Sequence, residues 1–455
     1  MADYQADLAI IGGGAAGMAA AITAARLLKP LRGARIILLE RLDRVGKKIL
    51  ATGNGRCNLT NAVVEIQSYH GLDPRFALGA LHRFDNEAAI SLFRELGMLC
   101  RTEPDGRVFP YSLQASTVLD TLRHAVSRAG VELRTGFEVK RLEAAEPLYI
   151  GTNPLTAAGG FHIYSTNAER LTARYALVTT GGCASPALGS NGSGYKLLQA
   201  LGHEMVPVRP AIVQITTETK FVKPLSGVKI QGRARLLEAG SEVGKKIVKE
   251  ARSEAGKEIG SEAGEILFTD DGLSGPPILQ LAHLVSERLP SPESASSLAL
   301  VLDFMPEFTE NEIFDLLTEF APRSAGLNLG DVLSGLLPKK AGTAIIKTTL
   351  SRPLSEPAAS LSKAERRQLA AAIKNLPIRV TGTRGFAFAQ VTAGGIATAG
   401  FRPDTLESKL VPGLYAAGEI LDIDGDCGGF NLQWAWASGV LAATRAATAL
   451  LEGNK

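Results

Sequence analysis

Gly12, Gly14 and Gly17 stand in G-x-G-x-x-G spacing directly after the apolar run Leu8 to Ile11 and at the head of an alanine-rich segment. Where a strand turns into a helix, that spacing suits a diphosphate. The first glycine permits the tight turn, the second lets phosphate approach bare backbone, and the third lets the helix lie close on the strand. The unpaired amides at the helix start then face the anion. A second apolar strand, Ala34 to Leu39, ends in Glu40, whose carboxylate stands where a dinucleotide presents its adenosine ribose. An acid at that position favours an unphosphorylated ribose.

Two further glycine-rich strand ends accompany this unit: TTGG at Thr179 to Gly182, with Gly181 and Gly182, and AAGE at Ala416 to Glu419, with Gly418. That combination separates FAD from NAD, because a ribityl chain and an isoalloxazine ring need a second set of close backbone approaches. Glu419 is placed to take a ribityl hydroxyl, the plainer alternative being a surface acid at a strand end. The loop Gly425 to Asn431 feeds a long apolar helix, and a helix start at the flavin pyrimidine edge would stabilise an anionic reduced ring. Trp434 and Trp436 read as core. Lys48 and Arg56 are candidates for neutralising phosphate or a flavin carbonyl. Cys57, with no resolving cysteine beside it, reads as a packed residue. Asp270 and Asp271 could be paired carboxylates for proton transfer or a turn before a helix. No second complete strand–GxGxxG–helix unit is present, and GSNGSG at Gly189 to Gly194 reads as part of the flavin cradle. NAD(P)H is therefore expected only as a transient electron donor.

At 455 residues and 45% hydrophobic, the chain has material for more than one core. A net charge of +3 demands neither nucleic acid nor an anionic membrane. Cys57, Cys100, Cys183 and Cys427 form no C-x-x-C pair, so neither a disulfide framework nor a metal site is expected. Leu8 to Leu28 is rich in Gly and Ala, with Asp3 and Asp7 where a signal peptide would be basic. A soluble cytoplasmic protein without a membrane span is the reading, its partner a small-molecule substrate.

Helical periodicity covers Phe84 to Leu96 and Gln114 to Ala129, and alternation near Val131 to Leu142 predicts a strand or hairpin. Tyr175 to Thr180 is a strand, and Lys196 to Leu201 is helix. From Gly202 the texture changes to β-strands at Val206 to Thr217, Val228 to Glu238 and Leu298 to Phe304. Helices are expected at Ile278 to Glu287, Glu310 to Glu319 and Lys363 to Lys374. Gly240 to Gly264, where Ser-Glu-Val/Ala-Gly recurs at Ser241, Ser253 and Ser261, reads as a solvated insertion or flap. Near Val391 the βα style returns. The fold class is α/β: a discontinuous Rossmann-like FAD-binding domain, residues 1–201 and 386–455, around an inserted β-rich domain, 202–385.

The stretches GGGAAGMAAA, GKKILATGNGRCNLTN, TTGGCASPALGSNGSGY, FTDDGLSGPPIL, VTAGGI and GLYAAGEILDIDGDCGGFNLQWAWASG resemble the bacterial BaiN-like, aminoacetone-oxidase-like family of NAD(P)/FAD-dependent oxidoreductases. They run from Gly12 to Gly439. The resemblance implies that the insert is β-barrel-like with a small helical subdomain near 306–378. It also implies an FAD-facing set of Gly12, Gly14, Ala15, Ala16, Gly17, Glu40, Arg41, Lys48, Thr52, Gly53, Asn54, Gly55, Arg56, Cys57, Asn58, Val139, Gly181, Gly182, Gly418, Glu419, Gly429, Asn431, Leu432 and Gln433. Phe430 stands where the family has tyrosine. The implied activity is hydride exchange between flavin N5 and a small organic substrate, as an NAD(P)H-dependent reductase of activated C=C bonds. The alternatives are an oxygen-using amine oxidase and a non-catalytic flavin-binding or RNA-associated protein.

Overall fold

The computed structural model describes residues 5–145, 149–150, 153–154, 159–238, 257–288, 298–321 and 326–453. The chain divides into two compact units, Met1–Pro210 with Gln390–Lys455, and Ala211–Ala389.

In the first unit, the apolar run forms β1, Ala6–Ile11, and the alanine-rich segment forms α1, Ala15–Leu28. Ile36–Leu39 is β2, buried at every position, as a strand covered on both faces must be. Tyr69–His70 is a short strand, β3. Helices α2, Asn86–Glu95, and α3, Ala115–Arg128, follow, the first capped by Asp85 accepting from the Ala88 amide. Glu132–Arg134 is β4, Val139–Ala144 is β5, Phe161–Ser165 is β6 and Arg170–Val178 is β7. The hydrogen-bonded order is β4-β2-β1-β7-β6-β5. β4, β2, β1 and β7 are parallel neighbours, while β7, β6 and β5 form an antiparallel meander. Of the strand or hairpin expected near Val131 to Leu142, strands form and the hairpin does not. β4 and β5 occupy opposite ends of that order, each taking its own partner. The connection between them is held by the Phe137 amide donating to the Glu40 carbonyl at 2.9 Å, with Phe137 buried. α4, Ser193–Ala200, and β8, Met205–Ala211, close this stretch.

The second unit is built on a closed antiparallel barrel. Its strands are β9, Ile215–Thr217, β10, Lys229–Glu238, β11, Lys257–Phe268, β12, Gly272–Ser274, β13, Leu298–Asp303, and β14, Leu376–Thr383. The order is β9-β12-β11-β10-β13-β14. The insertion expected over Gly240 to Gly264 needs correction at its C-terminal end. Residues 239–256 lie outside the described residues, but 257–264 belong to β11, with Ser261 opposite Arg235. Its charges are matched across the ladder, Lys229 with Glu265 at 2.8 Å and Arg235 with Glu258 at 3.5 Å, so a charged sequence serves as the outer face of a strand. Helix α5, Pro276–Arg288, packs Ile278, Leu281, Ala282 and Val285 inward.

Three more helices complete this unit: α6, Glu310–Phe320, α7, Lys339–Thr349, and α8, Lys363–Lys374. Thr309 and Ser362 make capping boxes with Glu312 and Glu365. Glu365 also pairs with Arg352 at 2.8 Å, and that guanidinium, with the Ser362 amide, holds its carboxyl down at about 2. A depressed carboxyl stabilises the fold above its unfolded value of 4.5 and loses that contribution as pH falls towards 2. Glu365→Gln, which keeps the capping box, should therefore melt below wild type near neutral pH in circular dichroism. The gap should close across that acid window.

The chain then returns to the first unit. β15, Val391–Ile396, pairs with β8, and β16, Leu414–Ala416, extends the parallel sheet beside β7. β17, Asp424–Gly425, lies antiparallel to β3, and α9, Phe430–Glu452, ends the described chain. α9 packs on α1 so closely that a Cβ on Gly439 would lie 2.4 Å from the Ala16 carbonyl oxygen. Among the described residues, no helix is long and apolar enough to cross a membrane.

Candidate cofactor site

The glycine turn is built around backbone contact. Gly12 has φ +111°, and a Cβ there would lie 2.6 Å from the Thr179 carbonyl oxygen. A Cβ on Gly17 would lie 1.9 Å from the Gly12 carbonyl oxygen. Gly14 differs: no atom lies within 4 Å of where its Cβ would stand, so it faces open space. α1 has neither a side-chain cap nor an acid in its first turn, and its first helical bond runs from the Met18 amide to the Gly14 carbonyl. The amides of Ala15, Ala16 and Gly17 thus lack helical acceptors and present the positive end of the helix. The Ala16 side chain itself is buried in packing.

Glu40 is buried, and both its oxygens are used. Oε2 accepts the Gly13 amide at 2.9 Å and Oε1 accepts the Leu42 amide at 2.8 Å. The acid is thereby locked onto the phosphate turn at a position, Gly13, that the motif leaves unspecified. A cavity here is lined by Gly12, Glu40, Arg41, Phe137, Val139, Thr180, Gly189 and Ser193 among others. It joins Val139 to the glycine turn and brings in part of the GSNGSG segment. Arg41 spans it, donating from Nε to the Gly189 carbonyl at 3.0 Å.

A second knot joins three distant segments. Lys48 Nζ lies 2.8 Å from Glu419 Oε2, while Glu419 Oε1 accepts the Thr392 amide at 2.8 Å. Thr392 Oγ1 accepts the amides of Cys183 and Ala184, and a Cβ on Gly182 would meet it at 2.4 Å. The Gly418 amide, on a residue with φ +78°, donates to Ser438 Oγ at 2.9 Å. Thr392 and Ser438 lie within the family-like stretches VTAGGI and GLYAAGEILDIDGDCGGFNLQWAWASG, but nothing in those stretches singles them out. Among the described residues, buried Thr180 Oγ1 and Tyr195 Oη have no hydrogen-bond partner.

The segment Thr52 to Asn58 turns through left-handed conformations at Gly53, Asn54, Gly55 and Cys57. The Cys57 amide donates to the Thr52 carbonyl at 3.0 Å. The thiol is fully buried and pushed up by that burial to about 12, which leaves it packed and unreactive. Asn58 Oδ1 accepts the Val108 amide. Arg56 pairs with Glu103 at 3.2 Å and stacks on Phe109, so its charge is engaged within the unit. Asp271, in the second unit, pairs with Arg384 at 3.2 Å, and the Thr269 amide donates to the Gly272 carbonyl, a turn.

α9 also begins without a side-chain cap, from Gly429 at φ +102°. Its first helical bond runs from Gln433 to Gly429, leaving the amides of Phe430, Asn431 and Leu432 without helical acceptors. The Asn431 side chain grips Gly425 at both backbone groups. Gln433 is buried and donates to the Phe84 carbonyl, so its side chain braces the helix within the core. Trp434 and Trp436 are core. Just before this helix, His70 Nε2 lies 2.7 Å from Asp426 Oδ1, an interaction that raises the imidazole's affinity for its proton. Burial pushes the Asp422 carboxyl up, and the Asp424 carboxyl to about 7.

A family model described as HI0933-like protein Rossmann domain matches residues 6–445. The chain belongs to the HI0933-like Rossmann family. This relative of the family is 35% identical to 3-dehydro-bile acid delta(4,6)-reductase of Clostridium scindens, over 97% of this chain and 98% of that one. It is 29% identical to ribosomal RNA dihydrouridine synthase of Haemophilus influenzae, over 96% and 97% of the two chains. Among solved structures, a quinol-fumarate reductase aligns at 17% identity with a TM-score of 0.47, over 98% of this chain and 72% of that one. The residues of the HI0933-like chain also suit the diphosphate that FAD carries. Gly14 opens onto empty space beside three unpaired amides, and a second uncapped helix start lies on the same unit. The protein is an FAD-dependent oxidoreductase.

Proposed function

We propose that the protein saturates a carbon–carbon double bond conjugated to a carbonyl group in a small organic molecule, drawing electrons from NADH or NADPH. The observation that carries this reading is the 35% identity, along nearly the full length of both chains, to a reductase of 3-dehydro bile acids. The dihydrouridine synthases named at 29% identity point to the same chemistry, because uridine's reducible bond is also conjugated to a carbonyl. When bound, FAD supplies the hydride chemistry between donor and acceptor.

The chain's own residues bind and bias. The first turn of α1 holds the diphosphate, and Glu40, fixed by two backbone donors, receives the ribose. Lys48 and Thr392 hold Glu419 for the ribityl chain. The unpaired amides at the head of α9 favour negative charge at the ring's pyrimidine edge. A nicotinamide donor has no second glycine fingerprint to occupy, so it binds transiently.

Anaerobic titration of the purified holoprotein with NADH and NADPH, followed by 2-cyclohexen-1-one, a 3-oxo-4,6-diene bile acid, primary amines and a ribosomal RNA fragment, tests this. Bleaching of the visible flavin band by a nicotinamide and its return with an enone is the expected result. Bleaching by amines and by neither nicotinamide would overturn the reductase reading. Reoxidation by RNA alone would overturn the small-molecule one.

A further inference from the structure

The segment between Glu419 and α9 carries carboxylates at alternate positions, Asp422, Asp424 and Asp426. Two of them have partners. Asp422 accepts the Leu72 amide at 2.9 Å, and Asp426 meets His70 Nε2 at 2.7 Å. Asp424 differs. It is 3% exposed and stands directly opposite His70 in the β3–β17 ladder.

A buried carboxylate crowded by other carboxylates keeps its proton or exchanges it with the nearest base. The charged and titratable groups facing Asp424 are His70 on β3 and Asp422, Glu419 and Asp426 along its own segment. β15 and the first turn of α9, which also pack on β17, bring no titratable side chain. His70 is therefore the base within reach, and with 32% of its side chain exposed it also meets solvent. Placement gives this pair its meaning. Asn431, in the first turn of α9, clamps Gly425 through both backbone groups, so the residue next to Asp424 is tied to the head of that helix.

We propose that His70, Asp424 and Asp426 form a proton-exchange unit at the flavin end of the site, with Asp424 storing the proton and His70 passing it in from solvent. This rests on the reading of the protein as a reductase of conjugated double bonds. Saturating such a bond adds a hydride to one carbon and a proton to its neighbour. The nicotinamide accounts for the hydride; the proton comes from water. The O–H bond of Asp424 breaks as the C–H bond beside the carbonyl forms. The carboxylate then takes a proton from the imidazolium of His70, which Asp426 holds in place, and the imidazole regains one from solvent.

The test uses FAD-loaded wild type, Asp424→Asn, Asp424→Glu and His70→Gln. Infrared titration of the wild type should show a protonated-carboxyl band near neutral pH that is missing in Asp424→Asn and restored in Asp424→Glu. Rapid mixing of the reduced proteins with 2-cyclohexen-1-one should show Asp424→Asn at least tenfold slower, with a flattened pH profile. His70→Gln should be slowed as well and accelerated by added imidazole. A carboxyl band that persists in Asp424→Asn, or wild-type pH profiles in both Asp424→Asn and His70→Gln, would overturn the proposal. Wild-type protein that cannot be loaded with FAD would overturn the flavin reading instead, and would show as an absent visible band before any variant is compared.

Discussion

Gly17→Val should give colourless protein that melts well below wild type. The added Cβ would lie 1.9 Å from the Gly12 carbonyl oxygen and 2.8 Å from Thr179 Oγ1, and the nearer of these is backbone that cannot swing aside. α1 would have to lift from β1, at the centre of the buried sheet, for a cost of about 3 kcal/mol or more. The same displacement carries the unpaired amides of the first turn away from the phosphate, so FAD affinity should fall at least ~100-fold, roughly 2.7 kcal/mol. Gly14→Ala separates the two effects. No atom stands within 4 Å of its Cβ position, so melting should stay within about 0.5 kcal/mol of wild type. The methyl group nonetheless enters the space left for the diphosphate. Calorimetric FAD binding should therefore weaken in both variants, with thermal stability lost only in Gly17→Val. Wild-type FAD affinity in Gly14→Ala would place the diphosphate elsewhere.

The glycine turn is legible in sequence because its spacing is confined to one strand–turn–helix unit, although Gly12 itself packs against distant Thr179. The α/β fold class follows from the same local signals, and the BaiN-like family resemblance from stretches spread between Gly12 and Gly439. What escapes sequence reasoning depends on partners far along the chain. Nothing within Val131 to Leu142 says that its two strands take separate neighbours, β2 and β6. Thr392 becomes a keystone only when β15 is brought beside Gly182, Cys183 and Glu419, 200 or so residues from the first of them. Lys48 and Glu419, read as separate candidates, are 2.8 Å apart, so each sets the other's position. Helix α7 carries Gly342 and several threonines, which weaken its local signal, but Ala341, Ile345 and Ile346 are buried and tertiary packing prevails. Charge misled over 257–264 for the converse reason: cross-strand pairing allows a charged segment to be an ordered outer strand face.

Glu40→Ala should cost stability even before FAD is added. Glu40 is 8% exposed, and its carboxylate serves two backbone donors, Gly13 at 2.9 Å and Leu42 at 2.8 Å. Removing it leaves both amides without that acceptor, for a combined loss of about 2 to 5 kcal/mol. Gly13 has little freedom to find another, since its carbonyl already accepts the Gly46 amide and its Cα is crowded by Val45. The relaxation must therefore pass into the phosphate turn itself, and FAD affinity should drop by more than the loss of one ribose contact, at least ~30-fold. Glu40→Gln retains one carbonyl oxygen but turns an NH2 group towards the other amide, so it should fall between wild type and Glu40→Ala in both denaturant midpoint and FAD binding. Adenosine diphosphate, which lacks the flavin, should lose affinity in parallel with FAD across this series. If it did not, the acid would be a purely structural brace for the turn, and the ribose would have to be held by another group.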